Sequence, residues 1–463
     1  MESAKNLIST NRLDVFSKTP LAYAWANDLD DSWGQEIYSA YMLSTRPSRG
    51  FSEDNAKFSL RDYIESFRSL FESIRKCGFD SKISSIPSTP EGITNGAHRL
   101  AIALALDANV SREISTDLNH NYDYKYMQSI GLSEKFIDAI VLEYLEYAHH
   151  TTVFCAMGIR QSLAEEIQKE LELAGFALIY RKAIRLSKIG QRRLMKVLYG
   201  SSDWWATEFY ESLVLERFND ENSSYFFFVM SKESEVVTHV KSQIREKYFD
   251  QFTFKKFHST DNRVETIRVA ETILNENSLL IINQAPIESE RNIISTIKNN
   301  PYLQKLNPKQ FAIDGSALLE ILGIRGANDL DYIEIQKRYS EIPSNPLSHN
   351  SEYQTLPINP TQLIMDPRNY AVIDGYRFVS VPQIIAFKSQ RGEPKDLSDI
   401  SSLCASNMSG SIYGDQKSRR EVAYLRFRLN TRRQINILIS PLPIWLQNLI
   451  RKSYVQLRDA FRV

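Results

Sequence analysis

The chain has 463 residues, too many for one compact core, and its length favours about three domains. With 43% hydrophobic, 24% charged and 11% aromatic residues it reads as an ordinary folded protein, which excludes a disordered or fibrous chain. Lys plus Arg and Asp plus Glu both total 56, so nothing favours a chain-wide coat for nucleic acid.

Three cysteines, Cys77, Cys155 and Cys404, stand far apart without Cys-x-x-Cys spacing. That pattern points to a reducing cytoplasm and away from structural zinc. The opening MESAKNLISTNRLDVF lacks the layout of a secretory signal, and no run approaches the roughly 18 apolar residues of a spanning helix. The expected location is cytoplasmic, soluble or peripheral at a membrane face.

In chain order, LRDYIESFRSLFESIRKCGF carries helical periodicity, with Tyr63, Phe67, Leu70 and Phe71 on one stripe. From about 85 to 120 the chain reads as a Pro-punctuated turn, a short strand, a turn at Asn95-Gly96-Ala97-His98-Arg99, an Ala/Leu-rich helix and a further β-like segment. A helix start offers free N–H groups and partial positive charge, to which His98 and Arg99 would add donors for an anion. The bland alternative is a satisfied His and a surface Arg on an ordinary helix. This strand, Gly-x-His-Arg turn and helix resembles the ParB/sulfiredoxin-like fold, which implies phosphate held at Gly96, His98 and Arg99. The expected module spans 1–125.

Residues 126–220 are expected to form a helical linker, with helices in FIDAIVLEYLEYAHH and IRQSLAEEIQKELELAGF and a stop at Gly175. His149 and His150 are adjacent, so they would diverge on a helix and read as structural. Trp204-Trp205 reads as packing. A small α/β domain is expected at 221–300: SYFFFVM, FTFKKF and SLLIINQ as strands, EVVTHVKSQIREKY and VETIRVAETIL as helices. Ser259, Thr260 or Asp261 can cap the second helix, which accounts for His258 and Glu265 without catalysis.

Residues 311 to 335, FAIDGSALLEILGIRGANDLDYIEI, hold the most chemistry. If Asp329 and Asp331 lie in a strand, they project from one face, where two neighbouring anions invite a hard cation such as Mg²⁺ or Mn²⁺. Gly315 allows close backbone approach to phosphate, and Ser316 adds a hydroxyl at a helix start. The order and spacing resemble the nucleotidyltransferase superfamily typified by DNA polymerase β, closest to its small stand-alone bacterial members. There a Gly-x-Arg segment, here Gly323 and Arg325, precedes the carboxylates, and a later stretch reads like FVSVPQIIAFKSQRGEPKDLSDISSL at 378–403.

The resemblance implies a mixed-sheet nucleotidyltransferase-like domain at 301–405. It implies catalytic and metal-binding roles for Asp329, Asp331 and a third carboxylate, Asp366, with Asp374 a competitor that a hairpin turn explains equally well. Nucleotide contacts are implied for Gly315, Ser316, Arg325 and Lys388. Read from the residues alone, Lys388, Lys395, Asp396 and Asp399 form a solvated helix face with a Lys-Asp pair.

The tail, 406–463, has eleven Lys or Arg from Lys417 onward against Glu421 and Asp459. Its last segment can form a basic amphipathic helix, with Trp445, Leu446, Leu449, Leu457 and Phe461 on one side. Such a helix docks on its own core or lies on an anionic membrane.

The expected protein is therefore an α/β (α+β) multidomain transferase. A nucleoside triphosphate is the substrate and a small-molecule, sugar or lipid-linked hydroxyl or phosphate the acceptor, as in bacterial surface-polysaccharide assembly. Nucleic acid is disfavoured as a partner. The alternatives are a bifunctional kinase/nucleotidyltransferase, a toxin-like enzyme modifying RNA or protein, and a non-catalytic nucleotide-binding scaffold.

Overall fold

The computed structural model describes residues 1–45, 59–79, 85–116, 120–199, 214, 217–218, 223–230, 234–250, 253–286, 291–335, 348–405, 441–443, 446 and 450. Its chain forms two compact units, Met1–Ser380 and Val381–Val463.

The first unit is a mixed α and β body with several small sheets. In its N-terminal part helices α1 (Thr19–Ala26), α2 (Ser32–Thr45) and α3 (Leu60–Cys77) share one hydrophobic cluster with Ile86 and Ile93 of a three-stranded sheet. In α3 a capping box joins Ser59 and Asp62, and Tyr63, Phe67, Phe71 and Ile74 recur at helical spacing to bury one face. Strand β1 (Ile86–Thr89) pairs antiparallel with β2 (Gly92–Ile93). After helix α4 (Ala97–Ala105), β3 (Arg112–Ile114) returns parallel to β1.

A four-stranded antiparallel sheet follows. Helix α5 (Glu134–Tyr147) leads into β4 (Thr151–Met157), α6 (Gln161–Leu173), β5 (Ala177–Arg185) and α7 (Lys188–Tyr199). Then come β6 (Ser223–Met230), α8 (Ser234–Tyr248), β7 (Phe257–Ser259), α9 (Arg263–Ile273), α10 (Glu276–Gln284) and α11 (Arg291–Asn299). The strand order is β5-β6-β4-β7. Phe154 and Ala156 of β4 pack with Ile167 and Leu171 of α6 in one cluster, while Val153, Cys155 and Met157 join the other. A strand buried on both faces reads as a continuous apolar run, which is how TTVFCAM and SYFFFVM look.

Four expectations for this region need correction. The stretch 126–220 is not purely helical, because β4 and β5 lie within it and share one sheet with β6 and β7 from beyond residue 220. SLLIINQ is helix α10, not a strand: the Asn275 side chain accepts from the Ser278 amide and caps it, a signal stronger than a short apolar run. FTFKKF is a 3-10 turn at Phe254–Lys256, and the strand starts at Phe257. The cap of α9 is Asn262, which accepts from Glu265 N, rather than Ser259, Thr260 or Asp261.

The third sheet has the order β9-β8-β11-β10. Strand β8 (Phe311–Ile313) leads through α12 (Ala317–Ile321) to β9 (Tyr332–Glu334), which pairs antiparallel with it. Helix α13 (Pro360–Met365) precedes β10 (Tyr370–Ile373) and β11 (Tyr376–Val379), a hairpin whose β11 runs parallel to β8. Asp374 and Gly375 turn it with φ of 52° and 82°, the two positive values of a type I′ turn, as Asp-Gly predicts.

In the second unit, α14 (Val381–Arg391) and α15 (Pro394–Ala405) form a helical hairpin. No helix among the described residues is long and apolar enough to cross a membrane. Trp204-Trp205 and nearly all of the basic tail, including the amphipathic segment around Trp445, Leu449, Leu457 and Phe461, lie outside the described residues.

Candidate functional site

The edge of the third sheet brings Asp331 to the Gly315-Ser316 bend. Past the end of β8 the Asp314 amide donates to the Asp331 carbonyl at 2.8 Å, carrying the β8–β9 pairing one step further. Gly315 then turns with φ 66°, a conformation that favours glycine. A Cβ built there would lie 2.6 Å from Asp331 Oδ2, so the carboxylate rests against the glycine backbone. Ser316 is buried at the start of α12.

The two acids do not sit as a strand would place them. Strand β9 begins at Tyr332, so Asp331 immediately precedes it and Asp329 lies in a bend. Asp329 is exposed, while the Asp331 side chain keeps 21% of its surface. Nearby, Gly323 turns with φ 68° against Pro286, and Arg325 donates to the Gly326 carbonyl at 3.0 Å.

Three residues that the sequence reading passed over complete this edge. Asp314 is fully buried and accepts from Tyr353 Oη at 2.8 Å. His349 Nδ1 lies 3.3 Å from Asp314 Oδ2, and its Nε2 lies 3.0 Å from Asp331 Oδ1. A neutral imidazole has one N–H, so a ring facing a carboxylate on each side is held as imidazolium. Burial alone would lower its pKa, but the hydrogen bonds and charges of Asp314 and Asp331 outweigh burial and raise it to about 10. No spacing rule could have found His349, which stands 35 positions from Asp314 at the start of the 3-10 helix His349–Thr355.

Asp366 takes another role than expected. It ends α13, buried, instead of lying on a strand beside the acids, and Arg368 Nε and Nη2 grip both its oxygens at 2.6 to 3.1 Å. Arg368 also bridges to Glu36 and lies over the Trp33 ring. On the side of β8 away from β9 lies β11, whose buried Arg377 donates to the Lys309 and Ile364 carbonyls. Asp374, the competitor, sits in the hairpin turn, paired with Lys298.

The donor set fits a divalent cation only in part. Asp331 Oδ2 is a hard oxygen donor at the bend and Asp329 an exposed one two residues earlier in the chain, yet His349 holds Asp331 Oδ1 and Arg368 holds Asp366. Among the described residues no three His, Cys, Asp or Glu side chains converge as metal ligands. Asp329 and Asp331 could hold one cation that keeps its waters for phosphate oxygens; the three-carboxylate arrangement is not present.

In the second unit Lys388 is buried, its Nζ 3.1 Å from Asp396 Oδ1 and 2.8 Å from Asp399 Oδ2. Arg391 adds a second cation to Asp396 at 2.7 Å. This is an internal ion network, not the solvated face expected from the residues, and it commits the Lys388 ammonium to protein carboxylates. Lys395 stays exposed beside Glu393.

A separate cleft of about 900 Å³ opens in the N-terminal part of the first unit. Gly96, with φ 87°, stands at the start of α4, and the Arg99 guanidinium folds back to 3.2 Å from where its Cβ would be. Arg99 donates to the Ser85 carbonyl, while His98 Nε2 lies 3.0 Å from Tyr38 Oη and edge-on to Phe67. Arg12, Asp14 and Lys18 also line the cleft. Both cations are buried on one carboxylate, with Arg12 Nε 2.8 Å and Lys18 Nζ 3.4 Å from Asp14. Burial would raise the Asp14 pKa, but Lys18 and Arg12 outweigh it and hold the carboxyl below its ordinary range. The cleft thus joins a net positive cluster to the turn residues Gly96, His98 and Arg99.

The sequence matches no protein-family model, no curated protein and no solved structure.

Proposed function

We propose that the edge formed by Gly315, Ser316, Asp329 and Asp331 is a divalent-cation-dependent nucleotidyl- or phosphoryl-transfer site, acting from a nucleoside triphosphate onto a hydroxyl or phosphate acceptor. The observation that carries this reading is the Asp331 carboxylate lying against the left-handed Gly315. Asp329 and Asp331 would hold the cation, which when bound neutralises phosphate charge during in-line displacement. His349 fixes Asp331 through Oδ1 and leaves Oδ2 at the bend, so the carboxylate is oriented before substrate arrives. Gly315 leaves room for phosphate, and Ser316 supplies a hydroxyl at the same turn.

The N-terminal cleft supports a second role in the same chain. Its size and the cations Arg12, Lys18 and Arg99 suit a phosphate-bearing small molecule, as in a bifunctional enzyme whose acceptor is bound or phosphorylated there. Sugar phosphates of surface-polysaccharide assembly are one such class.

The test is release of pyrophosphate from each nucleoside triphosphate with Mg²⁺ or Mn²⁺ and a panel of sugar, lipid-linked and phosphate acceptors. Turnover that disappears in the Asp329→Asn/Asp331→Asn double variant supports the reading. Turnover that survives the double change refutes it. Nucleotide binding with no turnover on any acceptor points to a scaffold instead.

A further inference from the structure

A pocket of about 190 Å³ lies in the first unit between α7, α9, α10, α11 and the turn of the β10–β11 hairpin. Arg193 and Lys196 of α7, Arg268 of α9 and Lys298 of α11 line it, against one carboxylate, Asp374. Asp374 already pairs with Lys298 at 2.8 Å. Arg193 is fixed by donating to the Ala285 and Pro286 carbonyls at 2.7 and 2.5 Å.

Arg268 decides the matter. Its Nε and Nη2 are buried and find no hydrogen-bond partner among the described residues. Glu265, one turn earlier on α9, is engaged with His258 Nε2 and the Asp261 amide. A buried guanidinium edge without acceptors is costly in a folded chain unless something else supplies them. The planar fork of Arg presents two parallel N–H groups that match the oxygens of a phosphoryl group.

We propose that this pocket binds a small phosphate-bearing anion, gripped by Arg268 and held electrostatically by Lys298 and its cationic neighbours. The volume falls below the roughly 300–1,000 Å³ of sites for drug-sized ligands, so the occupant carries one or two phosphoryl groups and no nucleoside. Because helices flanking the middle sheet and the hairpin of the third sheet both contribute, the anion would tie these two parts together. The proposed transfer reaction uses none of these residues, and the inference stands apart from it.

The experiment is calorimetric titration of the full chain with orthophosphate and with pyrophosphate at fixed ionic strength, using chloride as the control anion. Pyrophosphate is expected to bind with Kd below about 1 mM. Arg268→Gln should weaken binding at least roughly tenfold and Lys298→Gln roughly threefold. Arg61→Gln, on an exposed side chain of α3, should leave it unchanged. The proposal fails if neither anion gives saturable heat up to about 10 mM, or if Arg268→Gln folds and binds as wild type does. It fails equally if Lys298→Gln binds unchanged, which keeps the test decisive even where Arg268→Gln does not fold.

Discussion

His349 stands between two carboxylates, with Nδ1 3.3 Å from Asp314 and Nε2 3.0 Å from Asp331. The ring couples the buried end of β8 to the acid that rests on Gly315. A single side chain thereby pairs with two anions, offsets one unit of their charge and sets the direction of one.

This coupling has a pH signature. The folded-state pKa of His349 is raised from an ordinary 6.5 to about 10, against the opposing effect of burial, by hydrogen bonds and charge from Asp314 and Asp331. A raised pKa means that the stabilisation is complete below the unfolded value and is lost as pH climbs through about 10. His349→Ala should cost roughly 1–3 kcal/mol near neutrality, with the gap to wild type closing at the alkaline end. Urea denaturation across this range measures it, and a gap that stays constant would show that His349 is not held by its charge.

Gly315 is the tightest point of the site. Alanine there must adopt a φ of 66° and place its methyl 2.6 Å from Asp331 Oδ2, so either the backbone or the carboxylate has to move. Gly315→Ala should lose about 1–3 kcal/mol of stability and most of any pyrophosphate release. A thermal melt that matches wild type would mean that Asp331 swings away at no cost and is not the oriented group described here.

The two acids should separate in their effects. Asp329 is exposed, so Asp329→Asn should change stability by less than about 0.5 kcal/mol, whereas Asp331→Asn removes a charge partner of His349 and should destabilise. Both should lower turnover by about 100-fold or more if they share a cation. Equal melting with unequal turnover would reverse the roles assigned to them.

What could be read from the sequence was local. The α3 stripe, the Gly175 stop, the turn before α4 and the Asp374-Gly375 hairpin each rest on neighbouring residues whose backbone preferences agree. Short apolar runs mislead: TTVFCAM lies in a stretch expected to be helical and SLLIINQ has the look of a strand, because periodicity does not separate a fully buried strand from a buried helix. The bend at Gly315 was legible, and so was the placing of Asp331 beside it. The side chains that hold Asp331 were not, since His349, Asp314 and Tyr353 meet only through tertiary packing. Arg12, Asp14 and Lys18 are neighbours in sequence, Asp14 and Lys18 at the i,i+4 spacing of an ion pair, but that spacing is the same for a solvated pair and does not reveal that the cluster is buried.

Lys388 is buried in an ion network instead of lying on a solvated face. A Lys followed by Asp at 396 and 399 looks like a solvated helix face, but in the α14–α15 hairpin all three are buried and the charges face inward. Burial would raise the Asp396 pKa; the hydrogen bond from Arg391 and the charge of Lys388 outweigh it and hold it below the ordinary 3.8. A depressed carboxyl pKa gives stability that is present above the unfolded value and is lost as pH falls through the folded one. Lys388→Met leaves two buried carboxylates with one fewer cation, and removing one partner of such a pair costs about 3–5 kcal/mol. Replacing Lys388, Asp396 and Asp399 together by apolar residues of similar volume should cost much less, because the three buried charges go together and Arg391, which loses Asp396, is partly exposed and keeps Glu393. Denaturation of the single and triple variants separates the outcomes. If Lys388→Met melts like wild type, the ammonium is not what holds the hairpin, and a role toward an external phosphate regains its place.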